Sequence, residues 1–146
     1  MSFRGEFDFL SNFFPQPIAF EGRVWLTSEH AYQAAKTLVV EEWQQIRDAP
    51  SAGKAKRLGK SKADGGIVTL RPDWYDVRVP IMHAIQEAKF EVPALEERLL
   101  STGNIKLVEG NVWGDTFWGV DIRTGIGKNV LGKLLMQIRE EKRSFG

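Results

Sequence analysis

The chain has 146 residues, with 20 Lys and Arg against 19 Asp and Glu for a formal net charge of +1, 42% hydrophobic and 27% charged. That length supports a hydrophobic core without staples, and the charge balance leaves any attraction to nucleic acid or membrane to local patches. The absence of cysteine excludes disulfides, thiolate catalysis and Cys-based zinc sites, and two histidines are too few for a His-rich metal centre, so neither metal nor cofactor is expected.

No apolar run approaches a membrane span, and the acidic, aromatic N-terminus does not read as a signal peptide, so a cytoplasmic protein without membrane partners is expected. A single domain over residues 1–146 is expected, with oligomeric state left open. Nine Phe, five Trp and two Tyr stand out, several beside Gly, Asn or Asp.

Phe3, Phe7 and Phe9 alternate like a strand, which Ser11, Asn12 and Pro15 end. Ile18–Phe20 and Arg23–Trp25 flank Glu21-Gly22, a two-residue hairpin turn. Thr27 or Ser28 then caps a helix running to about Leu38, since the segment has no Gly or Pro and three Ala. Glu29, Gln33 and Lys36 follow at i, i+4 and i+7, placing a carboxylate, an amide and an amine on one face beside Trp25, His30 and Tyr32. Ala31, Ala34, Ala35 and Leu38 suit close packing on the other side. The stripe reads as an active-site wall or as an ordinary solvated face, and the helix alone does not separate these.

Further helices are expected over Glu41–Ala49 and from Ser51 to about Leu58. Lys54, Lys56, Arg57, Lys60 and Lys62 follow closely on one another, a patch suited to substrate phosphate, a nucleic-acid backbone, or plain solvation. Ile67–Leu70 reads as a strand, and Tyr75–Phe90 as a helix that Pro80 either kinks or starts. Ala94–Ser101 is the next helix, and Ile105–Val108 a short strand. Residues 110–121 mix Gly, Trp and Asp as ligand-binding loops do. Gly125-Ile-Gly-Lys-Asn129 opens the last helix, whose Leu131, Leu134, Leu135 and Ile138 face the core; its first turn is a ready anion site.

Glu29 paired with Asp115 or Asp121 would suit glycosidic cleavage, one carboxyl assisting departure while the other stabilises the anomeric centre or activates water. Lys36 would alternatively attack an opened sugar as an amine. Spacing does not establish that these groups converge.

Phe9-Leu-Ser-Asn-Phe-Phe-Pro15, Thr27-Ser-Glu-His-Ala-Tyr-Gln-Ala-Ala-Lys36, Trp74, Ala88-Lys-Phe90, Trp118-Gly119 and Gly127-Lys-Asn-Val-Leu-Gly-Lys-Leu-Leu-Met136 resemble the NADAR (YbiA-like) family, in order and over nearly the whole chain. The resemblance implies a helix-rich α+β domain with a few short strands. It implies an N-glycosidase acting on a phosphorylated ribosyl-base compound: a phosphoribosylamino-pyrimidine intermediate of riboflavin synthesis, or ADP-ribosyl-guanine in nucleic acid. It marks Glu29, Lys36, Trp74 and Asp115 as functional positions, of which Glu29, Lys36 and Asp115 are expected to be catalytic. Asn12, Phe13, Trp25, His30, Gln33, Trp74, Trp118, Gly119, Lys128 and Asn129 are then the expected substrate positions. The rival reading is a non-catalytic module that binds ADP-ribose or a nucleotide.

Overall fold

The computed structural model describes residues 3–145 and divides into two units. One runs from Asn12 to Lys89; the other combines the described residues up to Ser11 with those from Phe90 onward.

The first unit opens with the expected hairpin, strands β1 (Ile18–Phe20) and β2 (Arg23–Trp25), paired antiparallel with Phe20 opposite Arg23. Glu21 and Gly22 both take positive φ (51° and 76°), the type I′ geometry whose twist matches two paired strands. Helices α1 (Ser28–Ala34), α2 (Val40–Arg47), α3 (Ala52–Leu58) and α4 (Trp74–Lys89) follow. α1 is the centre, packed against α2, α3 and α4, and Ala31 and Ala34 are small enough to let those neighbours approach. It ends at Ala34 rather than Leu38: Lys36 and Thr37 bond back only three residues, and the exposed Leu38 contributes nothing to the core. Pro80 lies inside α4, which starts at Trp74 and continues through it. The residue is exposed, as is Asp76 one turn back, so water can reach the carbonyl that lacks its N–H partner.

In the second unit, Gly5–Leu10 is a 3-10 helix, not the expected strand. Gly5 turns the chain at φ 58°, Phe7 N–H bonds to Arg4 and Ser11 N–H to Asp8, and the three-residue repeat buries Phe9 and Leu10. Helix α5 (Pro93–Ser101) packs on α6 (Val130–Phe145), whose Leu131, Leu134, Leu135 and Ile138 are buried as expected. Two short parallel strands, β3 (Gly110–Asn111) and β4 (Val120–Asp121), hold the Trp-rich loop between them.

The strands expected at Ile67–Leu70 and Ile105–Val108 do not form. Val68 makes one bridge with Ser61, while the Leu107 carbonyl is taken by the Asn129 side chain. Their backbone groups find partners in loops, so a short apolar run does not need a ladder. The result is helix-rich α+β with a few short strands. Among the described residues no helix is long and apolar enough to cross a membrane.

Candidate active site

Thr27 caps α1 by accepting the His30 N–H at 3.2 Å, and its hydroxyl pairs with His30 Nδ1 at 2.8 Å. His30 Nε2 lies 3.0 Å from the Ala49 carbonyl, which can only accept, so Nε2 carries a proton. His30 is wholly buried and ties α1 to the end of α2; Trp25 is buried too, its Nε1 donating to the Phe20 carbonyl at 3.1 Å. Asn12 accepts the Glu29 N–H on its carbonyl at 3.0 Å, and its Oδ1 accepts Gln86 Nε2 at 2.6 Å. The bond to Glu29 pins Asn12 to the first turn of α1.

The polar stripe of α1 is not a solvated face. Glu29 is 7% exposed and Gln33 4%, and Gln33 Nε2 donates to Glu29 Oε1 at 2.8 Å. Shielded polar groups of this kind persist when they are paired. Lys36 sits in the turn just beyond the helix, half-buried, with Nζ donating to the Gly59 carbonyl at 3.3 Å and lying 5.6 Å from the Tyr32 ring centre. Burial holds its amine below the ordinary lysine range; the Glu29 charge pulls it back up, and Lys56 pushes it down again.

A cavity of about 640 Å³ opens here, bordered by Lys36, Gly59, Lys60, Ser61, Trp74 and Tyr75. Trp74 is 4% exposed and its ring lies 5.4 Å from that of Tyr32, whereas Tyr75 is an exposed aromatic. Phe13 is also exposed, with Lys56 Nζ 5.9 Å from its centre. The rest of the basic segment is solvated, and Lys62 makes an ion pair with Glu42 at 3.8 Å.

In the sequence Arg71-Pro-Asp reads only as a turn, yet the structure makes Arg71 a support of the site. Its N–H donates to the Lys36 carbonyl at 2.8 Å, Nη1 reaches the Ala35 carbonyl at 3.4 Å, and its guanidinium grips Asp73 at 2.6 and 3.1 Å. It thus holds the turn that presents Lys36. Only a bidentate Arg-x-Asp spacing hinted at it.

The remaining expected positions belong to the second unit. Asp115 Oδ1 accepts the N–H groups of Phe117 (3.1 Å) and Trp118 (2.9 Å), while Asn111 brackets the Asp115 backbone at 2.8 and 3.0 Å. Trp118 is half-buried, its ring edge-on to Phe117. A side chain at Gly119 would run into the Glu109 carbonyl, so that position requires glycine for close approach. Asn129 takes φ 52° and clamps two backbone groups, accepting from Glu109 N–H at 3.0 Å and donating to the Leu107 carbonyl at 2.9 Å.

Lys128 is exposed, with Nζ 5.9 Å from the Phe117 ring centre. The expected anion site on α6 itself is otherwise occupied: the N–H groups of residues 128–131 bond to carbonyls of residues 116–119.

The family model described as NADAR domain matches residues 2–143. The chain belongs to the NADAR family. It is 41% identical over 132 residues to a protein named N-glycosidase YbiA from Escherichia coli, covering 90% of this chain and 79% of that one. A riboflavin biosynthesis protein of Vibrio vulnificus is 40% identical over 91% of this chain, which spans only 35% of that protein. A chloroplastic riboflavin biosynthesis protein of Zea mays, PYRR, is 37% identical, and the NADAR chain covers 23% of it. The NMR structure of E. coli YbiA superimposes with a TM-score of 0.83 at 36% identity, covering 98% of this chain and 84% of that one.

Proposed function

We propose that this NADAR chain is an N-glycosidase that hydrolyses the N-ribosyl bond of a phosphorylated ribosyl-base compound. The candidates are ADP-ribosyl-guanine in nucleic acid and a phosphoribosylamino-pyrimidine of riboflavin synthesis. The names of its relatives support the reaction class. The observation that carries the residue assignment is Lys36, an amine of lowered basicity at the wall of a cavity, beside a shielded carboxylate–amide pair. Such an environment is how proteins prepare a nucleophilic or proton-transferring lysine.

Glu29 handles the proton. In one version it protonates the departing base nitrogen as the C1–N bond breaks, and water adds to C1 and returns its proton to the Glu29 carboxylate. Lys36 then acts through its charge on Glu29. In the other, the ribose ring opens to a C1=N imine of the base, the ring oxygen taking a proton. The Lys36 amine adds to C1 and the base leaves as its amine with a proton from Glu29. Water then hydrolyses the Lys36 imine, returning the free amine and the sugar aldehyde.

Asp115 is tested by charge alone, since an Asn at 115 can still accept the Phe117 and Trp118 N–H groups and preserve the loop. Products are to be analysed with both substrates, for the native chain and for Glu29→Gln and Asp115→Asn. Full activity of both variants on both substrates refutes the reading. Borohydride trapping of an adduct on Lys36 selects the covalent version. Tight binding without turnover assigns the chain to the nucleotide-binding class instead.

A further inference from the structure

Gly59 ends α3 with φ −70° and ψ −2°, an ordinary right-handed conformation that any residue adopts, so its backbone does not call for glycine. What it lacks is room. A methyl group at position 59 would land on Gln33 Oε1, 2.6 Å from Gln33 Cδ and 2.9 Å from Cβ. That oxygen is buried with no hydrogen-bond donor among the described residues, while the nitrogen of the same amide holds Glu29 at 2.8 Å. The Gly59 carbonyl, meanwhile, accepts from Lys36 Nζ at 3.3 Å. One residue therefore touches both arms of the α1 site: its missing side chain makes space for the amide that orients the carboxylate, and its carbonyl holds the amine.

We infer that Gly59 is a positioning residue that sets Glu29 through Gln33 and Lys36 directly, and that it is glycine for space rather than for backbone freedom. The inference rests on the N-glycosidase reading for its consequence in catalysis, but its geometry is separately measurable. Because both effects are on orientation, replacement acts on turnover more than on substrate affinity; misplacement on the scale of an ångström costs about 10²-fold in rate.

The test compares Gly59→Ala, Gln33→Ala and the double variant in the full chain. The readouts are kcat and KM on both substrates, the pH profile of kcat, and the Gln33 side-chain NH₂ signal by ¹⁵N NMR. Gly59→Ala is expected to lower kcat about 10²-fold with KM changed less than threefold, to move the pH profile, and to shift the Gln33 signal away from its carboxylate-bonded position. In the Gln33→Ala background, where the Oε1 and Cδ overlaps are gone and only the 2.9 Å approach to Cβ remains, adding Gly59→Ala should lower kcat far less than it does in the native chain. If Gly59→Ala fails to fold, the double variant should fold.

Wild-type kcat in Gly59→Ala, an undiminished effect of Gly59→Ala when Gln33 is already Ala, or failure of both variants to fold overturns the inference. If the native chain hydrolyses neither substrate, the N-glycosidase reading fails by itself. An unshifted Gln33 signal in Gly59→Ala then overturns the Gly59 assignment too, whereas a shifted one upholds its geometric part.

Discussion

Gln33 donates its side-chain amide to Glu29 one helical turn earlier, at 2.8 Å, with both side chains almost wholly shielded from water. The pair turns a sequence pattern that fits any surface helix into a directed carboxylate. It also separates the loss of charge at position 29 from the loss of position.

Glu29→Gln removes charge but keeps an oxygen able to accept from Gln33, so folding should survive while hydrolysis drops about 10²- to 10⁴-fold, the range of a general acid–base group. Melting temperature within a few degrees of wild type, together with single-turnover rates, checks both halves. Retained activity excludes Glu29 from proton transfer.

Lys36 should react with amine-directed reagents at a lower pH than the exposed lysines, because burial disfavours its ammonium form. Glu29→Gln removes the charge that raises this amine and should move its labelling to still lower pH. Lys56→Met removes a charge that lowers it and should move labelling upward. Peptide-resolved labelling against pH measures all three. The sign for stability also follows: the unfolded chain binds the Lys36 proton more tightly, so the penalty of burying it is fullest at low pH and fades as pH rises toward the ordinary lysine value of 10.5.

Glu42 accepts from the Thr37 hydroxyl (2.8 Å), the Thr69 N–H (2.6 Å) and the Thr69 hydroxyl (2.8 Å), joining α2 to the loop before α4. Burial works against its charge, but these bonds and Lys62 outweigh it and hold the carboxyl below the usual range. The stabilisation is therefore present above the ordinary Glu value and lost as pH falls through the lowered one. Glu42→Gln should cost about 1–3 kcal/mol at pH 7 in denaturant unfolding. The gap from wild type should shrink at acid pH; a constant gap would show that charge is not the cause.

Asn129 combines positive φ with two backbone clamps. Asn129→Ala should lose both clamps and strain the backbone, at about 2–4 kcal/mol, and Asn129→Gly should cost less because glycine accepts that φ. Equal losses by denaturant unfolding would assign the whole effect to the side-chain bonds.

The hairpin, the α1 cap, the core stripe of α6 and the Glu29/Gln33 spacing were all legible in the residues. Each depends on local periodicity, a capping hydroxyl or a turn glycine, which act within a few positions of one another. The two absent strands and the Gly5–Leu10 turn show where that logic stops, because a short apolar run takes its conformation from whichever groups satisfy its backbone.

The sequence by itself determined that Glu29 and Gln33 share a helical face. Tertiary structure alone decided that this face is shielded and that Lys36 leaves the helix yet stays beside Glu29. It also decided that Arg71 and Gly59, distant in the chain, hold Lys36 in place. Burial lowers the basicity of the Lys36 amine and long-range hydrogen bonds aim these groups, and no spacing along the chain encodes either.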